Sequence, residues 1–301
     1  MEKKNMDEKK SKVLIIGATG NLGYHLAEFS LKFSHPTFVL VRDSAFNDPV
    51  KVQKLQSLSN CGATLIKGSL EDEKSLLEAV KQVEVVICSI PSKHVLKQTV
   101  LVRVIKEAGC IKRFIPSEFG ADPDRIQISD MDYNFYLRKA EIRRLVETEV
   151  QPGLKTPPRD KIRVFGDGNV KAVFVKEQDV SAFTICSMDD PRTLNKVLYL
   201  RPPGNVCSMN ELVEIWESKI GKKLEKIYVS EDELLIKIKE TPYPDNMQMI
   251  FIYSAFVKGD HTYFDIDSHS GAEGTQLFPN VKYATISEFL ETLLEQASIS
   301  E

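Results

Sequence analysis

The sequence predicts a doubly wound α/β protein built on a parallel sheet, followed by a smaller α+β domain. Three observations carry this prediction. In the first half, apolar runs alternate with helical patterns, the signature of strand–helix–strand units. Those runs show little internal polar–apolar alternation, as strands covered on both faces do. And the first run, Val13–Ile16, enters a turn with three glycines and leads straight into a helical pattern.

The elements follow in order. A helix is expected from the glycine turn to about Phe33, then a strand at Thr37–Val41 and a third at Ala63–Ile66. Glu71–Val83 reads as an amphipathic helix with Leu76, Leu77, Ala79 and Val80 on one side. Val85–Ile90 is a fourth strand. Val95–Ala108 is helical and ends at Gly109, where a C-cap glycine belongs. Arg113–Ile115 begins a fifth strand, stopped by Pro116.

Beyond about Pro152 the character changes. Gly166–Asp167–Gly168–Asn169 is a turn signal, so Ile162–Phe165 and Lys171–Val175 are expected to form a hairpin. Asp179–Cys186 reads as helix and Val197–Leu200 as a short strand stopped by Pro202–Pro203. Ser208 with Glu211 is a capping box ahead of a helix carrying Leu212, Ile215, Trp216 and Lys219 and ended by Gly221. Ser230 with Glu233 and Thr285 with Glu288 repeat the device. The expected organisation is a polar, disordered lead-in at 1–11, a dinucleotide-binding domain at 12–150 and a substrate domain at 151–301. Some segments of the latter are expected to return to the first sheet.

Bulk properties narrow the function. A net charge of −3 gives no basis for nucleic acid or an anionic membrane as partner. The lead-in lacks the apolar core of a signal peptide, and no window approaches a transmembrane length. The five cysteines show neither C-x-x-C nor metal-ligand spacing and fit a reducing compartment, so a cytoplasmic protein is expected. His25, His35, His94, His261 and His269 form no ligand cluster.

The chemistry-bearing residues begin with the glycine turn, Gly17–Ala18–Thr19–Gly20–Asn21–Leu22–Gly23. Gly17 permits a sharp turn, Gly20 a close approach of backbone to phosphate, and Gly23 close helix–strand packing. The following helix N-terminus would face a pyrophosphate, as in a Rossmann-type sheet. Arg42 closes the second strand, where an arginine suits the 2′-phosphate of NADP; adjacent Asp43 keeps NAD open. Pro116 and Phe119 lie at the C-terminal end of the fifth strand, the ligand edge of such sheets. They could flank a nicotinamide or merely stop a strand and fill a core. Lys139 lies in a helix expected from about Asp132 to Glu149. Arg143 and Arg144 make its surroundings positive, which suits a general base, although a helical lysine is by default a surface residue. Phe135 stands four residues before it and Tyr136 three, so a tyrosine-based proton relay is not supported. Tyr243–Phe256 is rich in methionine and aromatics and reads as a core stripe rather than a substrate pocket.

Together, the Gly17–Gly23 loop, Val39–Arg42, Phe114–Gly120, Lys139–Arg144, Val164–Asn169 and Asp189–Pro203 resemble the plant isoflavone reductase-like group. These are NADPH-dependent aromatic reductases within the NmrA-like, atypical short-chain dehydrogenases. Within the group, Asp122–Pro123–Asp124 after Phe119–Gly120 is most similar to the pinoresinol–lariciresinol reductase branch. Ala121 differs from the histidine of the leucoanthocyanidin reductases. The resemblance implies NADPH as cofactor, bound through Gly17, Thr19, Gly20, Asn21, Leu22, Gly23 and Arg42, with Pro116 and Phe119 near its nicotinamide. It implies a small lignan-type phenolic as substrate, Lys139 as the base, and allows for a homodimer. One departure stands out. After the Lys-bearing helix the group has a buried Gly-Ile-Pro-Tyr-Thr-Tyr strand and an aromatic loop. Here Glu147–Val150 runs straight into Gln151–Pro152, so a strand on the substrate side is expected to be missing. The alternative expectation is therefore an NADP(H)-binding protein with impaired or silent catalysis.

Overall fold

A computed structural model of the chain describes residues 10–128, 138–139, 142, 158, 160–242 and 245–298. The described residues divide into two compact units, 1–117 with 184–190 and 118–183 with 191–301. The lead-in up to residue 9, most of the helix expected at 132–149 and the Glu149–Gln151 junction lie outside the described residues.

The first unit is a five-stranded parallel sheet. Its strands are β1 (Val13–Ile16), β2 (Thr37–Val41), β3 (Thr64–Lys67), β4 (Val85–Cys88) and β5 (Arg113–Ile115), in the order β3-β2-β1-β4-β5. The chain starts in the middle, winds outward through β2 and β3, then returns to the other side of β1, which defines a doubly wound fold. Every residue of β1 and β4 is buried, because helices cover both faces. All three residues of β5 are only half-buried, and among the described residues it pairs with β4 alone.

The connecting helices are α1 (Asn21–Lys32), α2 (Pro49–Asn60), α3 (Glu73–Val80) and α4 (Gln98–Ala108). Leu14, Ile16, Val86 and Cys88 of the sheet pack with Leu76, Ala79 and Val80 of α3 and Leu101 and Val104 of α4. The helix expected at Glu71–Val83 is shorter at both ends, because the Asp72 carboxylate caps the amides of Lys74 and Ser75. The helix expected at Val95–Ala108 is preceded by a 3₁₀ turn, Ser92–Lys97, and ends on left-handed Gly109 as anticipated.

The segment Thr184–Asp190 returns to this unit from the second half. Ser11 Oγ donates to Asp189 Oδ1 at 2.5 Å, and Lys112 Nζ lies 3.4 Å from the same oxygen. The Arg113 guanidinium donates to the carbonyls of Ser187 (2.5 Å) and Asp190 (3.1 Å).

In the second unit, β6 (Lys161–Phe165), β7 (Lys171–Val173), β8 (Val197–Tyr199), β9 (Val206–Ser208), β10 (Glu225–Val229) and β11 (Gly271–Glu273) form three two-stranded pairs. The hairpin expected from Ile162–Phe165 and Lys171–Val175 is not formed: β6 pairs in parallel with β10, and β7 pairs antiparallel with β9. The turn itself is real, with Gly166 and Gly168 both left-handed. Gly166 N–H, however, donates to Val229 O at 2.9 Å, continuing the β6–β10 ladder and turning the chain away from β6.

The helices here are α5 (Glu177–Ser187), α6 (Met209–Ile220), α7 (Glu231–Glu240), α8 (Met247–Tyr253), α9 (Gly274–Leu277) and α10 (Ile286–Ser298). The capping box of α6 forms as expected: Ser208 and Glu211 satisfy each other's amides, and Gly221 ends the helix in left-handed conformation. Ile250 and Tyr253 of α8 pack with Leu234 and Ile238 of α7, and Met247 and Met249 join them. Of the aromatic–methionine stripe, Met247, Met249 and Tyr253 are therefore core, while Tyr243 lies outside the described residues. Among the described residues no helix is long and apolar enough to cross a membrane.

Candidate dinucleotide site and catalytic lysine

β1 delivers the chain into the glycine loop at the C-terminal edge of the sheet. Gly17 has φ +94°, and a Cβ there would stand 1.9 Å from Ser89 O in the loop after β4. A Cβ on Gly23 would stand 2.2 Å from Gly17 O, so only glycine lets α1 approach the strand this closely. Gly20 differs. Its φ is −74°, and its Cβ would meet only Gly17 O, at 3.3 Å. The fold makes little demand for glycine at this exposed position; an approaching ligand would.

The start of α1 points the same way. Gly20 is its N-cap, without a side-chain cap, and no acidic residue lies in the first turn. Side chains cap α2, α3, α6 and α7 (Asp48, Asp72, Ser208 and Ser230), whereas α4 and α8, like α1, have none. The amides of Asn21, Leu22 and Gly23 with the helix dipole make a cradle for an anion. Thr19 and the exposed Asn21 line its rim, so the residues present fit a pyrophosphate.

Arg42 is exposed at the end of β2, on the same edge of the sheet. Asp43 beside it is engaged by Lys67 Nζ at 2.8 Å. Arg42 itself faces solvent at the end of β2. Pro116 is buried directly after β5, where Ser117 Oγ accepts from Ile90 N–H and donates to Ile90 O, both at 2.8 Å. The first unit therefore brings Gly17, Thr19, Gly20, Asn21, Leu22, Gly23, Arg42 and Pro116 to the C-terminal ends of its strands.

Phe119 and Lys139 belong to the second unit. Phe119 is half-buried, in a loop held by Asp122, whose carboxylate caps Asp124 N–H at 3.0 Å and accepts a short hydrogen bond from Tyr199 Oη. Lys139 is helical and 1% exposed, and among the described residues it is the largest fully buried side chain. The default reading of a helical lysine as a solvated surface residue is thereby overturned. Burial on this scale is rare for lysine unless its ammonium is paired, and it suits an amine with a chemical role.

Sequence reasoning missed Lys54. Its ammonium lies 3.4 Å from Thr19 O, Gly20 O and Asn21 Oδ1, and 5.7 Å over the Tyr24 ring. The available signal was Asp48–Pro49, an N-cap followed by a first-turn proline, which marks the start of α2.

The sheet order, the uncapped glycine-loop helix and the arginine after β2 define a dinucleotide-binding protein of the doubly wound class. Comparison with known proteins makes this specific. The NmrA-like family matches residues 9–153 and 147–290, and the chain belongs to that family. It is 62% identical over 308 residues to the Arabidopsis thaliana protein named "Probable pinoresinol-lariciresinol reductase 3", covering 96% of this chain and 99% of the relative. Among solved structures, "AtPrR2 with NADP+ and (+)pinoresinol" superposes with a TM-score of 0.86 at 37% identity, covering 94% of this chain and 99% of that one. The binary complex of leucoanthocyanidin reductase with NADPH from Vitis vinifera gives 0.89 at 34%, with the same coverage.

Two details of these matches bear on the sequence departure after Glu149. The family matches in two pieces that meet at 147–153. And the Arabidopsis alignment runs over 308 residues although 96% of a 301-residue chain is about 289, which leaves roughly 19 positions without a counterpart here.

Proposed function

We propose that the chain is an NADPH-dependent reductase of phenylpropanoid-derived phenolics of the lignan type, such as pinoresinol or lariciresinol. The observation that carries catalysis is the burial of Lys139, on a chain whose glycine loop is shaped for a pyrophosphate. In this reading Gly17, Thr19, Gly20, Asn21, Leu22 and Gly23 hold the pyrophosphate, Arg42 the 2′-phosphate, and Pro116 and Phe119 border the nicotinamide. NADPH, when bound, supplies the hydride.

Lys139 is the base. Its amine takes the proton of a phenol para to the reacting carbon, and the released electron pair moves through the ring and expels the benzylic ether oxygen, which leaves as the alkoxide and takes a proton from water. The substrate is now a quinone methide. Hydride addition at its benzylic carbon restores the aromatic ring as a phenolate, and the lysine returns the proton. A positioned base of this kind contributes about 10²–10⁴ in rate.

A second reading has a specific observation in its favour. The two-piece family match and the unmatched positions support the loss of a substrate-side strand after Glu149. On that reading the chain binds NADP(H) but turns over lignans poorly or not at all. One experiment decides. The purified chain is titrated with NADPH and then assayed for NADPH oxidation with pinoresinol and with lariciresinol. Binding with turnover supports the reductase; binding without turnover supports the silent form; no binding removes both. Where turnover is found, Lys139→Ala should lower kcat/KM about 100-fold or more while NADPH still binds. Equal loss of binding would make Lys139 structural.

A further inference from the structure

The same edge of the first unit holds a charge cluster that the roles above leave unused. Arg42 follows β2, Glu71 follows β3, and Lys93, His94 and Lys97 follow β4. All leave the C-terminal ends of parallel strands, where ligands of such sheets bind. Glu71 and Lys97 form a short ion pair, with side chains 64% and 38% exposed. The Lys97 ammonium holds the Glu71 carboxyl below its ordinary range, with Arg42 and His94 adding to the effect. His94 in turn is lowered by partial burial and by the charges of Lys97, Lys93 and Arg42. β2 and β3 end side by side, with Val41 opposite Lys67, so Arg42 and the Glu71–Lys97 pair leave neighbouring strand ends.

We propose that Glu71 is a built-in competitor of the cofactor's 2′-phosphate, paired with Lys97 and within the field of Arg42, and so sets how strongly the chain prefers NADPH over NADH. The proposal rests on the NADPH reading above. Its logic is electrostatic. A dianionic phosphate arriving at Arg42 is repelled by Glu71 and attracted by Lys97, and the Glu71–Lys97 pair must loosen before Lys97 can turn to the phosphate. Asp43 is paired too, with Lys67 at 2.8 Å, but Lys67 lies on β3 itself, whereas Lys97 follows β4. NADH, with a hydroxyl at that position, is indifferent to the exchange.

The test measures the affinity of both nucleotides by their fluorescence on binding, for the full chain and two variants. Glu71→Gln keeps the size and removes the charge. It should tighten NADPH about three- to tenfold at low salt and leave NADH within about twofold, the gain fading at high ionic strength. Lys97→Met should weaken NADPH by a similar factor and again spare NADH. Both side chains are exposed, and thermal unfolding checks that the fold is kept. Equal shifts for the two nucleotides, or none in Glu71→Gln, would overturn the proposal while leaving the NADPH reading intact. Failure of the unaltered chain to bind NADPH would overturn that reading and the proposal with it.

Discussion

Gly17 and Gly20 are glycines for different reasons, and the difference can be measured. Gly17→Ala forces a side chain into a left-handed backbone and against Ser89 O, so it should cost several kcal/mol in chemical denaturation and abolish NADPH binding. Gly20→Ala meets only a contact at 3.3 Å and should cost about 1 kcal/mol, yet weaken NADPH strongly. His261 sets a pH dependence. Its Nδ1 accepts from Val173 N–H at 3.4 Å and its ring packs against Phe251; burial, helped by the Arg201 charge, pushes its pKa down to about 4. Between that value and the ordinary 6.5 the unfolded chain binds a proton that the folded chain does not, so stability is lost as pH falls through this window. His35, lowered chiefly by burial, acts in the same direction. His261→Gln should therefore remove about 1–2 kcal/mol of the stability lost between pH 7.5 and 5, read as a flatter dependence of melting temperature on pH. The burial of Lys139 was not legible, since spacing places a lysine on a helix but says nothing of what packs over it.

At the scale of the elements, α6 shows how far local chemistry reaches. The Ser208–Glu211 box can be read directly from four residues, and Ser208→Ala should cost about 1 kcal/mol in denaturant unfolding. The strands β1, β2 and β5 were likewise legible to the residue, because unbroken apolar runs bounded by Gly, Arg or Pro leave little choice. α2 was not anticipated, because its apolar spacing is weak and only Leu55 and Leu58 are buried. The expected hairpin failed for another reason. Gly166–Asn169 encodes a turn, but which strand pairs with β6 or β7 is decided by β10 and β9, some sixty and thirty-five residues away. Turn chemistry is local, whereas pairing in short half-buried strands is chosen by tertiary packing. The glycine cradle was read from sequence because its demands are local too, and Lys54 was missed because it comes from the unread helix.

At the scale of the whole molecule, the family match breaks where the sequence departs from the group's pattern after Glu149. Inserting the Arabidopsis relative's unmatched residues at the 147–153 junction should raise lignan turnover, followed as NADPH oxidation, with NADPH affinity little changed. An insertion that leaves turnover unaltered would count against a missing substrate-side strand. The return of Thr184–Asp190 to the first unit has its own consequence, which concerns time. A ribosome releases the chain from its N-terminus at about 5–20 residues per second, and domains tend to fold as they emerge. Yet the Ser11, Lys112 and Arg113 side chains have partners at Asp189, Ser187 and Asp190, which are made some seventy residues after Arg113. Those contacts therefore close only after several seconds of further synthesis, so the first unit is completed late, from the second half of the chain.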